Sequence, residues 1–344
     1  MTDNKFPSVD FEAIRAAIPN LDVTNQCLIS KPEPIKPIFD TTPKSVLILG
    51  NGFDLDLGLK TSYEDFVRSS YWPFKRVSEL DENSLPRYLN SHLRQIDTWY
   101  DLEECLARFA SIPTGGKKEW EIDKDKSFFA RLIQALKEYL QCQEDAFVET
   151  MDNESHTKRL SPAHFILNYF SKKEIRSIYT FNYTNLRRIA GKLILNFDDK
   201  CTHVHGALAK DNIILGTGDQ RNLNDEYFDF YKSASQHYES NSLVEDLNSA
   251  DEVYIFGHSL GLNDHDYFSD FFKMASKAVH RPFSTERIKV RIFTFDSESE
   301  IAIKKQLMRL TDNHLIGLYA HCDFKILKTS NEFQTTWMNT RFPL

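Results

Sequence analysis

The chain has 344 residues, is 41% hydrophobic and 27% charged, and carries a formal net charge of −8, which excludes a disordered chain and fits one large domain or two smaller ones. The mild acidic excess argues against nonspecific nucleic-acid binding over the whole surface, and no apolar run reaches the ~20 residues of a membrane span. The N-terminal MTDNKFPSVDFEAI lacks a secretory pattern, and five scattered cysteines without a C-x-x-C pair suit reduced thiols in a cytoplasm and offer no metal cage.

Residues 1–44 read as an N-terminal extension: a short helix over Asp10–Ile18, then an extended connector through Pro32, Pro34, Pro37 and Pro43. Val46 to Leu49 is a short apolar run typical of a strand buried on both faces, and it ends in Gly50-Asn51-Gly52. Two glycines around an Asn permit positive φ and close approach of a ligand to the main chain. The turn fits neither the P-loop, since no Gly-Lys-Ser/Thr follows, nor G-x-G-x-x-G, since the position three beyond Gly52 is Leu55. Thr61 or Ser62 is placed to cap the next helix.

Arg87 to Thr150 reads as largely helical, with Leu89, Leu93, Ile96, Trp99 and Leu102, then Leu132, Leu136 and Leu140, at three- and four-residue spacing. This block is expected as a helical insertion over residues 67–172. Inside it, Trp99 to Glu104 concentrates aromatics and acids, and the plain expectation is a helix with a solvated acidic face. Alternation then resumes. Strands are expected over Ile175–Phe181, Cys201–His205, Asn212–Leu215, Glu252–Phe256, Ile288–Phe295 and Asp323–Leu327. Helices are expected from Leu186, over Asp225–Asn248 and His265–Ala278, and from a Ser297–Glu300 capping box to Leu310. The fold class is therefore α/β, with a Rossmann-like, mainly parallel sheet over residues 45–344.

The informative point is where the polar residues fall. Asn51 and Asp54, Asn182 and Thr184, His205, Thr217 and Asp219, and Ser259 and Asp264 each follow the carboxyl end of an expected strand. In an open α/β sheet those ends share one edge, where ligands bind. His205, beside Gly206, is the best single candidate for a general base. His203, two residues earlier on the same strand face, would make a metal pair with His205 if Asp264 or Asp266 supplied a carboxylate; no metal is the expectation. Asn182 and Asp54 could order a ribose or an amide, or simply bond their own backbone. Gly257-His258-Ser259-Leu260-Gly261 fits G-x-S-x-G, and Ser259, Asp296 and His314 or His321 would follow the order of a serine hydrolase, although only 85 residues remain after Ser259.

Gly50-Asn51-Gly52-Phe53-Asp54 and Gly58 to Phe66, then Trp99 to Glu103, Phe181 to Thr184, His205-Gly206 and Gly257 to Gly261 together resemble the AbiH family of bacterial phage abortive-infection proteins. That family is distantly similar to sirtuin-like NAD-binding domains, whose Gly-Ala-Gly-x-Ser turn, Thr-Gln-Asn-Ile-Asp strand end, His-Gly and Gly-Thr-Ser-Leu match these segments in order. The resemblance implies an antiphage effector that hydrolyses NAD to nicotinamide and ADP-ribose. It implies that the first turn, Gly50 to Asp54, cradles the pyrophosphate, with Thr61 and Tyr63 close by. Asn182 would sit beside the nicotinamide ribose, with His205 as base. Thr184, Gly206, Gly257, Ser259, Leu260 and Asp264 would complete the nucleotide site, Ser259 as a hydrogen-bonding group and not a nucleophile. Thr184 stands where sirtuins carry an Asp that contacts the nicotinamide amide, which keeps a non-catalytic nucleotide sensor as the alternative. The zinc-binding cysteines of deacetylating sirtuins are absent, so deacetylation is not implied. A phage protein, a nucleic acid or a small nucleotide are the candidate triggers; self-association into a homo-oligomer or occlusion by the helical insertion are the candidate off states.

Overall fold

A computed structural model describes residues 44–75, 83–93, 101–153, 161–172, 175–193, 201–277 and 287–330. The expected helix over Asp10–Ile18 and the proline-rich connector lie outside them, as do Ile96 and Trp99.

Six strands form one sheet: β1 (Ser45–Leu49), β2 (Ser177–Thr180), β3 (Cys201–His203), β4 (Glu252–Phe256), β5 (Lys289–Thr294) and β6 (Asp323–Lys328). All pairings are parallel, in the order β3-β2-β1-β4-β5-β6. This is the doubly wound Rossmann order, with the direction of winding reversing between β1 and β4. The strand residues alternate between two cores. Val46, Ile48, Val253, Ile255, Val290 and Ile292 face one layer. Leu47, Leu49, Ile178, Tyr254, Phe256 and Phe293 face the other. A sheet covered on both faces needs apolar residues at every strand position, which is why β1 and β4 read as continuous apolar runs.

The helices are α1 (Asn51–Leu57), α2 (Tyr63–Arg68), α3 (Leu85–His92), α4 (Asp101–Ala110), α5 (Glu119–Asn153), α6 (Pro162–Lys172), α7 (Leu186–Lys192), α8 (Leu243–Ser249), α9 (His265–Ala275), α10 (Ser297–Leu310) and α11 (Leu315–His321). Helices α8 to α11 cover the first face, and α6 and α7 contribute to the second. Helices α2 to α5 belong to a third core of their own, built from Phe66, Leu106, Phe109, Leu132 and Leu136 with Ile213, Leu215, Tyr227 and Phe230. That core pairs the helical block with the segment after β3. Helix α6, within the range expected as inserted, packs instead on the sheet through Ala163, Ile166, Leu167 and Phe170.

Several expectations change. Asn212–Leu215 is extended but joins no sheet. Gly206 takes φ +76° and folds the chain back, so Ile214 N–H bonds His205 O at 2.8 Å while Ile213 and Leu215 enter the helical core. Asp225–Asn248 is not one helix but two 3₁₀ turns, Asp225–Phe230 and Lys232–Ala234, and then α8. Tyr227 leaves helical geometry there, at φ −105° and ψ 25°, and both Tyr227 and Phe230 are buried in the third core. Strand β3 stops at His203, so His205 lies in the turn beyond it. The cap of α10 is Asp296, whose carboxylate accepts from Ser299 N–H at 2.9 Å, in place of Ser297. Ser62 caps α2 by accepting from Asp65 N–H at 2.9 Å.

Candidate functional site

A cavity of about 610 Å³ opens at the carboxyl edge of the sheet, within the size range of small-molecule sites. Its floor is the pair of turns after β1 and β4, which cross in close contact. Gly50 N–H bonds Phe256 O at 2.9 Å, Gly52 N–H bonds Gly257 O at 2.8 Å, and Phe53 N–H bonds Gly50 O at 2.9 Å. A Cβ on Gly50 would lie 2.4 Å from His258 Cα, and one on Gly257, which has φ +64°, would lie 2.4 Å from Phe53 N. The glycines therefore serve the approach of one turn to the other. Within the Gly50–Asp54 turn expected to cradle a pyrophosphate, the Gly50, Gly52 and Phe53 amides are already bonded to protein carbonyls.

From the β1 side, Gly50, Asn51 and Asp54 reach the cavity, joined by Thr61 and Tyr63. Thr61 Oγ1 donates to Asn51 Oδ1 at 2.6 Å. From the turn after β2, Asn182 Nδ2 donates to Gly50 O at 3.1 Å and to Asp54 Oδ1 at 2.8 Å, and Thr184 Oγ1 donates to Asp54 Oδ2 at 2.7 Å. Asp54 is fully buried, and burial pushes its carboxyl up to about 7, with the Thr184 and Asn182 bonds opposing the rise.

His205 is 4% exposed and packs edge-on against Phe181 with ring centroids 5.1 Å apart. Its Nε2 lies 3.3 Å from Asp264 Oδ1 but off the hydrogen-bond line, so this atom has no hydrogen-bond partner. Burial lowers the imidazole to about 3; Lys232 and His258 push the same way and Asp264 opposes them. His205 is therefore neutral at neutral pH. Asp264 Oδ2 also faces His258 Nε2 at 3.5 Å.

Sequence reasoning missed the charge behind this pair. Lys232 is 4% exposed, with Nζ 3.0 Å from Asp264 Oδ1 and 3.1 Å from Glu103 Oε2. Glu103 also accepts from Asn263 Nδ2 at 3.2 Å and Tyr63 Oη at 3.3 Å. Burial raises the Glu103 carboxyl and Lys232 pulls it back. Burial would also raise Asp264, but Lys232 and the two histidines outweigh it and hold that carboxyl low. Burial would lower Lys232, and the two carboxylates reverse this and hold it above its usual value. The acidic face of α4 is thus not simply solvated: Glu103 reaches into the site, and Glu104 pairs with Arg108 and Arg221 on the cavity wall. Lys232 sits among Tyr227, Phe228, Phe230 and Tyr231, and a lysine inside an aromatic run is the signal that could have found it.

Of the expected site residues, Gly50, Asn51, Asp54, Thr61, Tyr63, Asn182, Thr184, His205, Gly257, Ser259 and Asp264 line this cavity. Four stand behind it. Phe53 and Leu260 are core side chains at 1% and 0% exposure, Gly52 packs on Gly257, and Gly206 packs on Asn212. His203 Nδ1 faces Asn182 O at 2.9 Å, away from a shared metal position, and among the described residues no three His, Cys, Asp or Glu side chains could hold a metal ion together. The serine-hydrolase set is not assembled. Asp296 caps α10, and His314 lies against Gly317, which itself meets Ser276 at the far end of α9 from Ser259. His314 and His321 are both absent from the cavity wall.

The model of the family described as bacteriophage abortive infection AbiH matches residues 46–284. The chain belongs to the AbiH family. Membership indicates a role in abortive phage infection, and the matched span runs from β1 to β4 and takes in the helical block, including its cavity-lining Glu103, Glu104, Arg108, Leu136 and Leu140. In this AbiH chain β5, α10 and β6 lie beyond that span. No curated protein matches the chain. Among the described residues no helix is long and apolar enough to cross a membrane.

Proposed function

We propose that this AbiH-family chain is an abortive-infection effector whose cavity binds NAD and hydrolyses the bond between nicotinamide and ribose. The observation that carries the reading is a set of three buried polar atoms without a protein partner, Asn51 Nδ2, Asn182 Oδ1 and His205 Nε2, all on residues of one cavity wall. Buried polar groups in folded proteins are almost always paired, so a cluster of unpaired ones at a ligand edge supports a polar ligand. One is a donor, one an acceptor and one a neutral imidazole nitrogen, a combination suited to ribose hydroxyls and a water molecule. The sheet edge from β3 to β5 spans four strand gaps of ~4.8 Å, about 19 Å, long enough for a dinucleotide.

The chemistry follows from the charges. The C1′–N bond of NAD breaks with its electron pair moving to the pyridinium nitrogen, which leaves as neutral nicotinamide. Water adds to C1′, and its proton passes to His205 Nε2. The transition state is oxocarbenium-like, so bond breaking leads and the demand on the base comes late; a weakly basic imidazole suffices. The imidazolium that forms stands 3.3 Å from the Asp264 carboxylate, which stabilises it. A carboxyl does stand beside Thr184, that of Asp54, bonded to Thr184 Oγ1 and Asn182 Nδ2.

The test is a chromatographic assay of nicotinamide released from NAD by purified protein, beside His205→Ala. Release by the wild type that falls at least a hundredfold in the variant supports the reading. Equal release by both sinks the assignment of His205. Binding of NAD without release, measured as a rise in melting temperature, would turn the reading to a nucleotide sensor.

A further inference from the structure

The interior of the cavity is poor in free positive charge. Lys232 is held between two carboxylates, and Arg108 and Arg221 both pair with Glu104. Two amides of the turn after β1 are already taken, because Gly52 and Phe53 N–H bond Gly257 O and Gly50 O. Glu103, Asp264 and Asp54 would repel a phosphate. The cavity has another wall, however, where it leaves the sheet edge past Ser259, Gly261 and Leu262. There α10 presents Ala302, Lys305, Gln306 and Arg309, the i, i+3, i+4, i+7 positions of one helical face. Gln306 is tied to the β4 turn region through His265 Nε2 at 3.2 Å, which itself meets Leu260 O at 3.1 Å. Among the described residues, neither Lys305 nor Arg309 pairs with a carboxylate; Arg309 reaches only Gln306 Oε1, at 3.4 Å. Two like charges one turn apart on a helix repel each other, and nothing in this wall offsets them.

We propose that Lys305 and Arg309 form a phosphate-binding lip, so that the ligand of this site is a phosphorylated nucleotide whose sugar end lies at Asn51, Asn182 and His205 and whose phosphoryl groups lie along α10. This rests on the reading of the cavity as a nucleotide site and adds where its anion is recognised. The lip lies outside residues 46–284, so it is a property of this chain and not of the family match. It also divides the labour of the cavity: the acid-rich interior takes the sugar and the cationic ring, and the α10 face takes the anion.

The test is calorimetric titration of ADP-ribose into wild type, Lys305→Glu/Arg309→Glu and Lys305→Gln/Arg309→Gln, at low and high ionic strength. Both side chains are exposed, so unchanged melting temperatures are expected and checked. The charge-reversed protein should bind at least about tenfold more weakly, the neutral one should fall between, and only the wild type should weaken steeply with salt. Nicotinamide release from NAD at subsaturating concentration should fall by the same factor. Binding of ADP-ribose by the charge-reversed protein within twofold of wild type overturns the lip, as does a wild type that binds no ADP-ribose. Lip-dependent binding of ADP-ribose with no nicotinamide release from NAD keeps the lip and defeats the hydrolase reading, so the two fail separately.

Discussion

Replacing Lys232 with Met removes one buried cation from between two buried carboxylates. Glu103 Oε2 and Asp264 Oδ1 lie 3.1 and 3.0 Å from Nζ, so the two oxygens are no more than about 6 Å apart. At an effective dielectric of ~20 their mutual repulsion is about 3 kcal/mol once the lysine is gone, in line with the ~3–5 kcal/mol lost when one partner of a buried ion pair is deleted. The expected loss is therefore about 3–5 kcal/mol at pH 8. The loss should shrink at pH 5.5. Without Lys232, burial holds the Glu103 carboxyl further above its unfolded value, and a carboxyl raised on folding is stabilising when protonated and penalised as pH rises through its folded pKa. Adding Glu103→Gln to the Met variant should recover at least half of the loss at pH 8. Urea unfolding at the two pH values measures all three proteins. A loss that is the same at both pH values and untouched by Glu103→Gln would refute the idea that Lys232 acts by separating two carboxylates. The same variant reports on His205, whose basicity Lys232 suppresses: the acid limb of any nicotinamide-release profile should move to higher pH.

Three further outcomes follow from the geometry. Asp54, raised to about 7 against an unfolded value of 3.8, favours its protonated form on folding, so wild type should lose stability relative to Asp54→Asn as pH rises from 4 to 8, by up to about 4 kcal/mol in paired urea titrations; parallel curves would show that Asp54 is not buried as a carboxyl. Gly257→Ala places a Cβ 2.4 Å from Phe53 N at φ +64° and should cost at least about 3 kcal/mol, seen as a lowered melting temperature; a neutral effect would mean that the two turns do not cross as described. Asp246→Ala leaves the Tyr179 hydroxyl and Arg176, now bonded to that carboxylate at 2.8 Å each, without their acceptor between α8 and β2, and should destabilise by about 3 kcal/mol in the same assay.

Strands β1 and β4 were legible because a sheet covered on both faces favours unbroken apolar runs, and the site edge was legible because both runs end in a polar turn. The strand Asn212–Leu215 misled for the same reason: its apolar side chains face a core, but the core is that of the helical block. Glu103 was hidden because an acid on an amphipathic helix reads alike whether it meets water or a buried lysine; only the partner, more than a hundred residues later in the chain, distinguishes the two. Lys232 was hidden inside a segment that reads as helical by composition and is in fact two 3₁₀ turns. Pairs made by tertiary approach leave no local period, so charge placement was the part that spacing could not reveal.

The glycine turn was legible as part of the sheet edge, yet its glycines act chiefly on the crossing of two turns. Gly50, Gly52 and Gly257 let the β1 and β4 turns meet at a distance no side chain tolerates, and Gly52 N–H to Gly257 O at 2.8 Å locks that crossing. Asn51 and Asp54 are then fixed on one side of the winding reversal and His258 to Asp264 on the other. Asn182 adds β2 by bonding both Gly50 O and Asp54. Each group that faces the cavity has its other atoms held: Asn51 Oδ1 by Thr61, Asn182 Nδ2 by two acceptors, and the His205 ring by Phe181. The unpaired atoms Asn51 Nδ2 and Asn182 Oδ1 cannot turn to find partners without breaking these bonds, and His205 Nε2 is unpaired beside them. Their desolvation cost is met during folding, and the protein leaves their hydrogen-bonding capacity unused. That is the arrangement expected of a preorganised polar site, and it follows from glycines whose main role is to let the two turns cross.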